Sequence, residues 1–79
     1  MKVWRIEIVN YQLDGTSYTS KKKFYPTERG FKNNLKHHKK MTEWFSSMSR
    51  YTLGRVLTAY DPDDNVIEVF DPNKVLSKS

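Results

Sequence analysis

Only one stretch of this chain, residues 27–48, carries helical periodicity, and both sides of it read as strand and tight turn. A single helix covers one face of one sheet, so this count already restricts the fold to a helix laid on strands. Within the stretch, Phe31, Leu35, His38, Met41 or Thr42, Phe45 and Met48 recur every three or four residues, which aligns them along one side. Pro26 and Thr27 mark its start. Proline cannot donate to a preceding ladder, and a threonine hydroxyl can accept from the free amides of a first turn. Gly30 weakens that turn.

Residues 2–11 alternate, with Trp4, Ile6 and Ile8 on one face and Arg5 and Glu7 on the other, the period of a half-buried strand. Asp14-Gly15 follows, the pair best suited to the positive dihedrals of a hairpin turn, so residues 16–25 return as a second strand. That strand is polar and lysine-rich, as a protected sheet edge should be. After a polar connection over residues 46–52, residues 53–60 are rich in strand formers. Asp61-Pro62-Asp63-Asp64-Asn65 makes a turn, and residues 66–70 form a fourth strand, with a short tail expected to fray beyond Asn73. The reading is a single small α+β domain over residues 1–79, ββαββ, an antiparallel four-stranded sheet with one long helix across one face. Val56 with Leu57 and Val66 with Ile67 give the last two strands apolar residues on both faces. One helix cannot cover both, which points to a homodimer through the other face.

Seventy-nine residues leave no room for a second domain or a deep, dry pocket. The absence of cysteine removes disulfides, thiolate zinc sites and cysteine nucleophiles. Charges at Lys2, Arg5 and Glu7 stand where a signal peptide needs an apolar run, and no run approaches the length of a membrane span. A soluble, cytoplasmic protein is the expectation. No glycine-rich phosphate loop, nucleophile elbow or metalloprotease signature is present, and the acidic turn lacks the spacing of a calcium loop, so no cofactor or metal is expected.

The charge is +5 overall, and it is unevenly placed. Residues 21–40 hold eight basic residues, Lys21, Lys22, Lys23, Arg29, Lys32, Lys36, Lys39 and Lys40, against Glu28 alone, while the remaining residues together are net negative. On the strand, Lys21 and Lys23 share a face and Lys22 takes the other. On the helix, Arg29, Lys32, Lys36 and Lys40 form a continuous stripe with Lys39 beside it. Like charges so spaced repel by a few tenths of a kcal/mol per pair, a cost that a phosphate backbone removes. The plain alternative is a solvated helix face. Trp44, near His37 and Lys40, has two readings, stacking on an unpaired base or packing, and Tyr18 and Tyr25 have the same two. His37 and His38 point about 100° apart on a helix and cannot chelate one metal together. They read as a phosphate donor or surface residue and a semi-buried residue, with acid–base ribonuclease chemistry as a third reading in which Glu43 is the only nearby acid on the helix.

Lys2-Val3-Trp4-Arg5-Ile6-Glu7-Ile8-Val9 and the block from Lys21 to Phe31, Lys21-Lys22-Lys23-Phe24-Tyr25-Pro26-Thr27-Glu28-Arg29-Gly30-Phe31, give the whole chain a likeness in size and charge to a known group. It resembles the small, basic, cysteine-free accessory proteins of T-even-like bacteriophages, and among them the TifA-like inhibitors of ToxN, the endoribonuclease of type III toxin–antitoxin systems. The resemblance implies a non-catalytic RNA-binding protein of the host cytoplasm that acts on an endoribonuclease toxin such as ToxN with RNA assisting. The expected RNA-binding residues are Lys21, Lys22, Lys23, Arg29, Lys32, Lys36, His37, Lys39, Lys40 and Trp44. Two other readings compete with it: a protein-directed inhibitor that docks its basic face on an acidic patch without RNA, and a small ribonuclease using the histidines.

Overall fold

The computed structural model describes residues 2–48 and 52–76. The elements run β1 (Trp4–Gln12), β2 (Ser17–Tyr25), α1 (Glu28–Met48), β3 (Thr52–Tyr60) and β4 (Val66–Phe70). The strands form one antiparallel sheet in the order β2-β1-β3-β4, and α1 lies across one face of it, the ββαββ arrangement that the periodicities predict. Of the connection expected over residues 46–52, residues 49–51 lie outside the described residues, as do 77–79 of the tail.

Local chemistry sets each boundary. Gly15, at φ 94°, turns the first hairpin, and Asp14 holds it by accepting from the Thr16 amide at 2.9 Å and its hydroxyl at 2.6 Å. Thr27 caps α1 through its hydroxyl, which accepts from the Gly30 amide at 3.2 Å. In the second hairpin, Asp61 accepts from the amides of Asp63 and Asn65 at 2.8 and 2.9 Å. Those amides, Asn65 first, hold the Asp61 carboxyl below the usual carboxylate range.

Ile6 and Ile8 of β1, Leu57 and Ala59 of β3 and Phe31 of α1 form the buried core, with Trp4, Tyr25, Leu35 and Phe70 packed around it. Of the alternative Met41 or Thr42, the structure buries Thr42 and leaves Met41 exposed; at the last turn the stripe differs from expectation, with Ser46 buried and Met48 exposed. At 100° per residue both methionines fall about 60–80° round the helix from His38, on the flank towards β2, where the sheet no longer lies beneath them. The segment after Asn73 is also held rather than frayed as far as Leu76. Asp71 accepts from the amides of Val75 and Leu76, each at 2.8 Å, and the Asn73 side-chain amide donates to the carbonyls of Ser46 and Leu53. Val75 packs where a side chain on Gly54 would stand, 3.1 Å from that position, which is why a glycine sits there.

Candidate nucleic-acid interface

Edge strand β2 displays its lysines on both faces. In the register, Lys21 and Lys23 stand opposite Ile8 and Ile6, on the side that α1 covers, and Lys22 stands opposite Glu7 on the far side. A bulge between Ile8 and Val9 leaves Ser20 without a partner and keeps that alternation in step with the core. The helix packs chiefly on β3, off-centre in the sheet, so the inner face of β2 beyond Tyr25 is left open and Lys21 and Lys23 reach solvent beside the helix flank.

His38 reports what gathers there. It is buried, with Nε2 3.0 Å from the Tyr25 hydroxyl. Burial first, and then the charges of Lys21, His37 and Lys23, hold its imidazole below its ordinary range. Lys21, Lys23 and His37, from two elements, thus border His38 in the cleft between α1 and β2. The rings of His37 and His38 lie edge-on, 5.7 Å apart, and His37 is the exposed one.

Going outward round the helix from this cleft come Trp44, Lys40, Arg29 and Lys36, all exposed. Trp44 is 58% exposed and, with Lys40, Glu43 and Ser47, lines a shallow surface concavity. Lys21, Lys22, Lys23, Arg29, Lys36 and Lys40 have no ion-pair partner among the described residues. Lys32 lies 3.9 Å from Glu28, an exposed pair of the kind worth little. Lys39 sits apart from the stripe it neighbours in sequence. Its Nζ is 2.5 Å from Glu68 and 5.4 Å from the centre of the Phe70 ring, on the β4 side of the helix. The structure therefore brings together Lys21, Lys23 and His37 in the cleft and Arg29, Lys36, Lys40 and Trp44 on the adjoining helix face. It sets Lys22 and Lys39 aside from both.

The two tyrosines divide. Tyr25 packs edge-on to Phe31 and bonds His38, whereas Tyr18 is half-exposed with its hydroxyl accepting from the Asn10 amide at 2.8 Å. Arg55 is a residue the sequence reading passed over. It stands opposite Asn10 on the helix-facing side of β3, its guanidinium 3.5 Å from the centre of the Phe45 ring, and it has no carboxylate partner among the described residues. Burial lowers its pKa. The signal was available in the alternation of β3, where Arg55, Leu57 and Ala59 share one side and a charge at the first of these is out of pattern.

For the ribonuclease reading, His38 is the buried histidine, its Nε2 faces a phenol and its charged neighbours are cations. Glu43 lies exposed on the outer helix face beside Trp44. No group of three His, Asp or Glu side chains placed to hold a metal occurs among the described residues, and no described helix is long and apolar enough to cross a membrane. No protein-family model, no curated protein and no solved structure matches this chain.

Proposed function

We propose that this chain is a non-catalytic RNA-binding protein that takes the phosphate backbone along the α1–β2 cleft and the adjoining helix face. The observation that carries the reading is the separation of charge. Cations without an ion-pair partner among the described residues occupy the β2 edge and the outer helix, while Asp61, Asp63, Asp64, Glu68 and Asp71 cluster at the opposite, β4 end of the sheet. Those acids draw their cations away from the cleft: Lys2 lies 3.6 Å from Asp63, Arg5 2.7 Å from Asp64, and Lys39 against Glu68. What remains reads charge and spacing rather than sequence, since no described helix or strand is arranged as a major-groove reader. Taken with the resemblance to phage inhibitors of ToxN, the physiological role is anti-defence: inhibition of a toxin–antitoxin endoribonuclease through RNA-assisted binding in the host cytoplasm.

The test is RNA affinity of the folded K32E/K36E/K40E triple variant, and of K21E/K23E, beside pull-down of the toxin with and without ribonuclease. RNA binding collapses in both variants while circular dichroism is unchanged, and toxin capture falls with nuclease. Unchanged affinity in the folded variants removes the proposal. One observation favours a direct protein contact instead: Trp44, an exposed aromatic beside Lys40 and Glu43, has the make-up of an interface anchor. A stoichiometric toxin complex that survives nuclease and is lost in Trp44→Ala selects that second reading.

A further inference from the structure

The sheet face turned away from α1 has a different character from the cleft. The register carries Phe24, Arg5, Tyr60 and Val66 across it in one row. The next row is Lys22, Glu7, Thr58 and Val69. Phe24, Val66 and Val69 are 57%, 56% and 49% exposed, large apolar side chains left in water. The charges among them sum to zero within the face itself: Arg5 lies 2.6 Å from Glu7 and 2.7 Å from Asp64 and covers the Tyr60 ring at 4.0 Å, and Lys22, opposite Glu7 in the register but without an ion pair among the described residues, is offset by the second of those two carboxylates. A face so neutralised does not attract a polyanion or an anionic lipid surface. Its complement is another neutral, flat, apolar face.

Size agrees with that occupant. Four strands about 4.8 Å apart, along a nine-residue β1 at about 3.4 Å per residue, give a face of about 500 Å² in projection, on the order of the ~800 Å² of accessible surface a stable interface buries per partner. The chain already hides one end of this face by itself, where Val75 packs on Gly54 and Val56 is buried outside the main core.

We infer that a second copy of this chain covers the open face, in a two-fold dimer with β1 of one protomer over β3 of its partner. An axis along the strands sets Arg5 against Tyr60, Glu7 against Thr58 and Phe24 against Val66, so that no two like charges meet. Both α1 helices then face outward, and the dimer carries two basic clefts on opposite sides. The dimer stands independently of RNA binding; the two-site capture it allows, with tighter holding of one long RNA, rests on the function proposed above.

The experiment is the solution mass of the whole chain by light scattering and sedimentation, after ribonuclease treatment and in high salt so that RNA cannot bridge copies. Twice the 9.4 kDa chain mass is expected. V69K and F24E, both at exposed positions, give monomers with unchanged circular dichroism, and K36E on the helix stays dimeric. A 9.4 kDa particle at about 100 µM overturns the inference and leaves the face to a foreign protein. A dimer untouched by both V69K and F24E, or one dissociated by K36E instead, overturns it as well. If V69K fails to fold, F24E on the edge strand decides. A dimer that binds no RNA would remove the function and leave this inference standing.

Discussion

RNA affinity of this chain should fall with salt along a slope set by the cations that lack a carboxylate. Each phosphate neutralised contributes about −0.7 to the slope of log K against log salt on a single strand and about −0.9 on a duplex. Lys21, Lys23, Arg29, Lys36 and Lys40 border the cleft and outer helix with no ion-pair partner among the described residues, which gives about −3.5 on single-stranded RNA and about −4.5 on duplex. All eight basic residues of the block acting together would give about −6 to −7. The difference is structural: Lys22 points to the other face, Lys32 has Glu28, and Lys39 has Glu68. The assay is anisotropy of a labelled RNA over a salt series, repeated with single alanine variants. Lys36→Ala and Lys40→Ala should each flatten the slope by nearly one phosphate's worth. Lys39→Ala should leave it unchanged and lower stability instead, because it strips Glu68 and the Phe70 ring of their neighbour. A slope near zero, or a Lys39→Ala effect as large as that of Lys36→Ala, would refute the reasoning.

The remaining expectations concern the fold beneath the site. His38 has its folded pKa depressed, so the unfolded chain takes up the proton first; stability is full above the unfolded value near 6.5 and declines as pH falls from there towards the lower folded value. Urea midpoints measured across that window should show this slope in the parent chain and lose it in His38→Gln. Phe31→Ala, at the centre of the core against Trp4 and Tyr25, should cost about 3–5 kcal/mol by denaturant melts, enough to unfold a chain of this size. Gly54→Ala combines φ 147° with a Cβ 3.0 Å from Asn73 and 3.1 Å from Val75, and should cost about 1–3 kcal/mol while releasing the 71–76 segment to proteolysis.

Element types and order were legible because the period changes sharply between alternation over Trp4, Ile6 and Ile8 and three-four spacing from Phe31 to Phe45. The turns were legible because Asp14-Gly15 and Asp61 to Asn65 carry their own hydrogen-bonding chemistry. What pattern could not give was the lateral position of the helix. Periodicity says which side of α1 is apolar but not where on a four-stranded sheet that side comes down, so it left Met41 or Thr42 open, of which Thr42 is the buried one, and Ser46 is buried where Met48 was expected. The partner of Lys39 was hidden for a related reason: Lys39 borders the stripe in the helical projection, yet its carboxylate, Glu68, comes from a strand whose place in the sheet is a long-range fact. The tail was read as fraying because one buried residue, Val75, and two side-chain caps, Asp71 and Asn73, do not stand out in a short polar segment.

The lateral offset of α1 is also what separates the two surfaces. A helix centred over β1 and β3 would bring its flank nearer the inner side of β2, and Lys21 and Lys23 would then lie under it, where burying an unpaired ammonium is costly. With α1 lodged on β3, those lysines keep their hydration, and of the groups in the cleft only His38 is buried, neutral and bonded to Tyr25. On the other face no second helix among the described residues covers the sheet, and apart from Lys22 its charges are tied up in Arg5, Glu7 and Asp64. The cleft thus holds charge that lacks a counterion and the open face holds apolar area that lacks a cover. Ligands satisfying one do not compete for the other, so monomeric V69K should bind a short RNA as tightly as the parent chain and lose only the gain that a long RNA brings.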